Sequence, residues 1–442
     1  MSTAKGAAEV IAALLAQAGL DLPVRLRAWD SEAGPLEPVD APVLAARSPR
    51  ALQRILWRPG ELGLARAYVS GDLDVEGDLT DGLRRVHATA PLSGPFGLIR
   101  TGPAAAAAAA RLGLLAPPPE PPRCELRVRG RRHSRARDQA VIAGHYDVPS
   151  AFYQLILDPS LAYSCAYWDP QTLDLAAAQR AKLELIGRKL ALAPGQALLD
   201  MGCGWGSLTL HAARARVRVT GVTLSREQGG YVRRRARGLG LAEDRVQVRI
   251  QDYRDPLDGT YDAVASVEMG EHVGAARYPA FCAALYGRLR PGGRLLIQQM
   301  SRTTRRGGGP FIESYIAPDM DMRPVGETIR LIQDAGFEVI GVEAMREHYA
   351  RTIRAWLENF EANLPAITTI LTAEQVRVWR LYLAGGALAL NRANCQSPML
   401  SKAKPTANRS APMTTSGPAG DRSSMPSWTG TVASHRIAAC SR

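Results

Sequence analysis

The sequence predicts an α/β protein built on a doubly wound, mostly parallel sheet, with a smaller α/β unit before it and a disordered tail after it. Three observations carry that expectation. From residue 196 onward, short apolar runs alternate with helical patterns, as successive strand and helix units do. The first run, Leu198-Leu199-Asp200-Met201, passes directly into Gly202-Cys203-Gly204-Trp205-Gly206, a strand-to-helix turn whose glycines let a backbone approach a ligand closely. Finally, 442 residues with 46% hydrophobic content can fill a large core and exceed one ordinary small domain.

Residues 1–122 read as the smaller N-terminal α/β domain. Val10, Ile11, Leu14 and Leu15 share one helical face, and Glu9 interrupts what would otherwise resemble a signal peptide, so a short amphipathic helix is expected. Val24 to Trp29 alternates like a strand, and residues 61–70 carry a helical pattern. The alanine-rich run at 104–110 is a good helix former, and the prolines of 117–122 break the chain.

A basic linker, 123–140, follows with Arg123, Arg127, Arg129, Arg131, Arg132, Arg135 and Arg137. It is either a phosphate-binding surface or a solvated connection. Strands are then expected at 197–201, 217–222, 246–250, 261–267 and 294–300 within a main domain of 141–390. From 391 to 442 serine, proline and threonine replace the periodic pattern, which predicts the disordered tail.

The net charge of +13 favours an anionic partner, nucleic acid or a phospholipid surface. Six cysteines, Cys124, Cys165, Cys203, Cys282, Cys395 and Cys440, show neither a paired nor a metal-binding spacing. Reduced thiols in a cytoplasmic protein without a metal centre are therefore expected. No apolar run is long enough to span a bilayer, so membrane contact would be peripheral.

The Gly-rich turn alone would serve a dinucleotide equally well. Its spacing after the acidic strand end suits the methionine moiety of S-adenosylmethionine better, making Asp200, Gly202 and Gly204 cofactor candidates. After the second strand stand Thr223, Leu224 and Gln228, with no acidic residue for the ribose. Asp252 and Tyr253 follow the third strand, where a carboxylate can accept from an adenine amino group and a ring can cover the base.

Specific motifs frame this sheet: His145-Tyr146-Asp147-Val148, Tyr163-Ser164-Cys165-Ala166-Tyr167, Ala178-Gln179, Asp252-Tyr253-Arg254-Asp255, and Ser266-Val267-Glu268-Met269-Gly270-Glu271-His272-Val273-Gly274. Tyr315-Ile316-Ala317-Pro318 and His348-Tyr349-Ala350-Arg351-Thr352 continue them. Over about residues 140–390 the chain resembles the cyclopropane fatty acid synthase family.

That resemblance implies a Rossmann-like class I methyltransferase sheet and adds Tyr163 and Ser164 to the S-adenosylmethionine site. It implies methyl transfer to the cis double bond of an unsaturated phospholipid acyl chain, at the cytoplasmic face of the membrane. It also implies a bound bicarbonate as base, held by Cys165, Glu271 and Tyr349, with Gln298 where several members place a histidine. Beyond Leu390 the family usually continues with an ordered segment. Here Asn391-Arg392-Ala393 leads into the tail, a break that a frame change would produce.

Three other readings stand beside this one. The carbocation left by methyl transfer to an alkene could instead yield a mid-chain methylene branch, and a non-catalytic lipid-binding protein could use the same fold. A nucleic-acid methyltransferase is disfavoured, because Val267-Glu268-Met269-Gly270 replaces the N-P-P-Y-like turn of base-amino enzymes, so no nucleic-acid partner is expected. A homodimer is left open.

Overall fold

The computed structural model describes residues 6–17, 22–33, 41–89, 109–146, 148–303, 307–391, 395–396 and 398–404. Its large sheet has seven strands: β5 (Ala197–Met201), β6 (Arg218–Thr223), β7 (Val246–Ile250), β8 (Tyr261–Val267), β9 (Leu289–Gln298), β11 (Glu338–Ala344) and β13 (Pro398–Ala403), while β10 (Ser301–Arg302) and β12 (Cys395–Gln396) pair separately. The spatial order of the seven is β11-β13-β9-β8-β5-β6-β7. The five strands from β7 to β9 are parallel, and at the other edge β13 runs antiparallel to both β9 and β11, so that β11 points the same way as the five.

The central parallel strands form where the sequence offers unbroken apolar runs, because helices cover both faces of such a sheet. Leu198 and Leu199 of β5 are both fully buried, on opposite faces. Leu198 joins a core with Phe152, Ile186 and Trp356, and Leu199 joins one with Phe281, Leu295 and Ile332. The order in which strands are added reverses at β5, which pairs in parallel with β6 on one side and β8 on the other. A ligand crevice is expected at such a switch point, beyond the carboxyl ends of the strands.

The N-terminal segment forms a four-stranded sheet of β1 (Arg25–Arg27), β2 (Glu32–Ala33), β3 (Val43–Ala46) and β4 (Leu73–Glu76), in the order β2-β1-β3-β4. The amphipathic helix is present at Ala7–Gln17, and the pattern at 61–70 is the helix Glu61–Val69. This unit is fastened to the rest of the chain. Arg377 reaches across to the Leu73 carbonyl at 2.7 Å, Glu61 accepts from the Phe311 amide at 3.2 Å, and Arg66 pairs with Glu125 at 2.6 Å.

Two expectations require correction. The residues taken as a basic linker are partly a helix, Arg135–Tyr146, and three of the arginines are spent on acids of the main domain. Arg132 and Arg137 each meet Asp319 at 3.1 Å, and Arg135 pairs with Asp255. Of the seven arginines only Arg137 is half-buried; Arg132 and Arg135 stay exposed along with Arg123, Arg127, Arg129 and Arg131.

The predicted tail also begins too early. Asn391 ends the helix Ala373–Asn391, and β13 inserts between β9 and β11 with Met399 and Leu400 fully buried. Those two side chains point to opposite faces and enter both cores, each contributing about 1.5–3 kcal/mol of apolar burial. Residues 405–442 of the predicted tail lie outside the described residues, as do residues 104–108 of the alanine run.

Candidate active site

The turn after β5 sets the floor of the site. Gly202, Gly204 and Gly206 all have positive φ, +87°, +52° and +83°, a region that costs other L-residues about 1–2 kcal/mol. A Cβ at Gly206 would lie 2.6 Å from Val232, whereas one at Gly204 would meet nothing within 4 Å. Gly204 therefore faces open space, and that space is the crevice.

Two adjoining clefts share Gly202, Gly204, Gln228 and Glu268. The larger, about 870 Å³ counted to its open mouth, is also lined by Thr223, Leu224, Asp252 and Tyr253. Tyr163, Ser164 and Asp200 line the other. All ten residues expected to hold the cofactor thus border one cleft or the other.

Local bonds explain their placement. Asp200 accepts from Thr209 Oγ1 at 2.7 Å, and burial pushes its carboxyl up to about 6. Ser225 caps the helix Arg226–Gly238 by accepting from the Gln228 amide, and Thr223 Oγ1 donates to Gln228 Oε1 at 2.8 Å. Burial works to raise the Asp252 carboxyl, but its bonds to Arg254 outweigh this and hold it below the usual range. Much of Asp252 is thus engaged by Arg254 within the chain.

The loop bearing Tyr163, Ser164 and Cys165 is pinned from two sides. Gln179 Nε2 donates to the Ala162 and Ser164 carbonyls at 3.1 and 2.8 Å, and Lys182 Nζ donates to Ser164 Oγ at 2.9 Å. From the helix Arg346–Ala362, Thr352 Oγ1 accepts from the Ala166 amide and His348 Nδ1 from the Trp168 amide. Two of the resembling motifs are therefore mutual supports. The side chains of His145, Tyr146 and Asp147 in the first motif lie outside the described ones.

Among the four residues expected to hold an anion, Cys165, Gln298 and Tyr349 converge, and Glu271 does not join them. They converge on Glu268. Its Oε1 accepts from the Cys165 amide at 2.7 Å and from Gln298 Nε2 at 3.3 Å, and its Oε2 accepts from Tyr349 Oη at 2.8 Å. The Cys165 thiol points elsewhere, donating to the Ala166 carbonyl at 3.2 Å. Glu271 instead accepts from the Met300 amide at 2.6 Å, and its second oxygen, also buried, has no partner.

Burial raises the Glu268 carboxyl above its ordinary range, opposed by its hydrogen bonds to Cys165 and Tyr349 and by the Lys182 charge. Burial and the Glu268 charge together push Glu271 up to about 8. Glu268 also has φ of +49°, the left-handed region, where a non-glycine residue signals local strain of about 1–3 kcal/mol, often at a functional site. A bicarbonate does not fit these residues. The three donors that would receive it already serve a built-in carboxylate, and an added anion would face that buried negative charge without a partner.

Comparison with known proteins agrees with the geometry. Residues 133–397 match the family described as Mycolic acid cyclopropane synthetase. The chain belongs to this family. It is 36% identical over 381 residues to the "Probable fatty acid methyltransferase Rv3720" of Mycobacterium tuberculosis, covering 84% of this chain and 89% of that protein. With the cyclopropane-fatty-acyl-phospholipid synthase of Escherichia coli it shares 35% identity over 277 residues, 61% of this chain and 70% of the relative. The solved mycolic acid cyclopropane synthase CmaA1, complexed with SAH, superposes with a TM-score of 0.56 at 28% identity. That match covers 60% of this chain and 98% of that structure.

The methyltransferase is thus an S-adenosylmethionine-dependent enzyme of fatty-acid modification with a class I fold. Its acidic crevice suits a sulfonium cation, since Asp200 and Glu268 border the space beside Gly204. Two side chains that line the cleft, Glu268 and Lys182, were not singled out from the sequence. The available signal was the pair of carboxylates three positions apart, Glu268 and Glu271, of which only the second was assigned a role.

Proposed function

We propose that the enzyme transfers a methylene unit to the cis double bond of unsaturated acyl chains in phospholipids, giving cyclopropane fatty acids. One observation carries the reading: a buried carboxylate, Glu268, sits beside an aromatic wall. Tyr349 bonds it directly, Trp356 packs edge-on to Tyr349 at 6.1 Å, and Tyr163 packs on Trp356 at 5.2 Å.

An alkene is a weak nucleophile, so the chain must hold it at near-attack distance from the sulfonium methyl that the cofactor supplies. The π pair takes that methyl carbon and leaves a cation on the neighbouring carbon. Aromatic faces stabilise the cation and exclude water that would trap it. Loss of one proton from the added methyl then closes the ring.

Access from a membrane surface follows from the same reading. Among the described residues no helix is long and apolar enough to cross a membrane. Exposed arginines at 123, 127, 129 and 131 offer positive charge to anionic headgroups, and we place the enzyme peripherally at the cytoplasmic face. The test is to incubate the purified enzyme with cis-unsaturated phospholipid vesicles and methyl-labelled S-adenosylmethionine, then analyse the released fatty acids. Label in cyclopropane rings is the expected result. Label in an exocyclic methylene would assign the branching reaction, and unlabelled lipid would overturn the substrate class.

A further inference from the structure

The geometry points to Glu268 as the base of this reaction, standing where the resemblance expects a bound bicarbonate, so that the enzyme carries its proton acceptor within the chain. The inference rests on the methyl-transfer reading above. Two independent observations support it.

The first is occupancy. The Cys165 amide, the Gln298 side-chain amide and the Tyr349 hydroxyl come from three distant parts of the chain, and all three aim donors at the two Glu268 oxygens. An ionised carboxylate is acceptor-only and takes several donors in the plane of its oxygens. Bicarbonate would present the same pair of oxygens, and its place is filled. Gln298 Nε2 also reaches the Cys165 carbonyl at 3.2 Å, and that second acceptor fixes which end of the amide faces the carboxylate.

The second is backbone conformation. Glu268 closes β8 with φ of +49°, a conformation that glycine adopts without penalty. A glutamate is held there only because its surroundings over-determine it. Its side chain borders both clefts and so reaches the space where methyl donor and acceptor meet.

Electrons and protons balance without another reactant. The alkene π pair forms the new C–C bond as the S–C pair stays on sulfur, leaving S-adenosylhomocysteine and a carbocation. Glu268 then accepts one proton from the added methyl group. The freed C–H pair forms the second ring bond, and the protonated Glu268 passes its proton to solvent after release. Lys182, whose charge acts on Glu268, is a positioning residue because it donates to Ser164 rather than to the reacting atoms.

Three forms of the full chain test this. In buffer purged of carbon dioxide, wild-type turnover should equal that with bicarbonate restored. Glu268→Gln keeps the shape but cannot take a proton, and should lose about 100-fold or more in turnover while binding S-adenosylhomocysteine like wild type. Glu268→Gly relieves the left-handed backbone and should therefore fold. It should also open the anion pocket and gain turnover that depends on added bicarbonate.

Uptake of isotope-labelled bicarbonate, measured without lipid, separates this inference from the choice of acyl substrate. Glu268→Gly should bind it and wild type should not. Bicarbonate binding or stimulation in wild type would overturn the inference, as would a fully active Glu268→Gln or a Glu268→Gly indifferent to bicarbonate.

Discussion

Lys182 donates from a wholly buried ammonium to Ser164 Oγ at 2.9 Å, tying the helix Leu175–Leu190 to the loop that roofs the cofactor cleft. Burial drives its pKa down, and the charges of Glu268, Asp158 and Asp200 oppose that. The same coupling lowers Glu268 and Asp200. Lys182→Met therefore removes the cation that favours both ionised carboxylates. The acidic limb of the turnover profile, set by ionisation of Glu268, should move to higher pH. A pH–rate series on the two proteins checks this, and an unmoved limb would detach Lys182 from the base.

Glu271 predicts a stability effect of definite sign. In the folded chain its carboxyl keeps a proton up to about pH 8, whereas the unfolded chain releases it near about 4.3. The native state binds more protons across that window, so its stability falls as pH rises through it. Glu271→Gln cannot ionise and can still accept from Met300. It should match wild type near about pH 4 and exceed it by on the order of a few kcal/mol above about pH 8. Denaturant melts at the two pH values provide the comparison, and turnover should suffer far less than in Glu268→Gln.

At Gly204 an added side chain is opposed by both backbone and ligand. Its φ is +52° and its missing Cβ points into the open crevice, so Gly204→Val would place two methyl groups where the methionine moiety must lie. Calorimetric titration with S-adenosylhomocysteine should show binding weakened by at least about 100-fold, with the melting temperature only modestly lowered. Wild-type affinity in the variant would mean that the cofactor takes another path.

The central sheet was legible because its signals are local. The runs at 197–201, 246–250 and 261–267 are the observed β5, β7 and β8, bounded by Gly, Asp or Pro at nearby positions. β13 was hidden. Pro398-Met399-Leu400-Ser401-Lys402-Ala403 is short and sits among serine and proline, and only pairing with two partners far away in sequence makes it a strand. β11 was equally faint, since its side chains alternate between half-buried and exposed.

Most residues lining the clefts were legible for the same local reason: Asp200, Gly202, Gly204, Thr223, Leu224, Asp252 and Tyr253 lie at or just past strand ends, whereas Tyr163 and Ser164 came from the resemblance alone. The anion cluster was only half legible. Cys165, Gln298 and Tyr349 were named individually, but what they surround depends on a three-dimensional convergence and on the backbone angle of Glu268. Neither leaves a periodic trace in the sequence.

Membrane attachment should depend on only part of the basic segment. Arg137 is largely buried against Asp319, so reversing it would disturb the fold, and the exposed Arg132 and Arg135 already face Asp319 and Asp255. Changing Arg127, Arg129 and Arg131 together to Glu should weaken binding to anionic vesicles by about 1 kcal/mol per arginine lost at low ionic strength. The gap from wild type should shrink in high salt. Vesicle sedimentation at two ionic strengths measures it, and equal binding by both proteins would remove the arginines from the docking surface.

The last prediction concerns Gln298, whose Nε2 donates to Glu268 at 3.3 Å and which is fully buried. As a neutral amide, glutamine supplies a donor without changing charge over the working pH range. Gln298→His replaces it with a group that ionises near about pH 6.5. Neutral imidazole should preserve the bond and the product. Imidazolium would favour ionised Glu268 so strongly that the carboxylate becomes a weaker base, delaying removal of the proton from the added methyl. A longer-lived cation has time for a hydride shift from the neighbouring carbon, after which proton loss leaves an exocyclic methylene instead of a ring. The variant should therefore make more methylene product as pH falls through the histidine range, while the wild-type ratio stays flat. The two products have equal mass, but proton NMR separates upfield cyclopropane methylene signals from vinylic ones. A Gln298→His product ratio that does not change with pH would show that this position does not govern how long the cation survives.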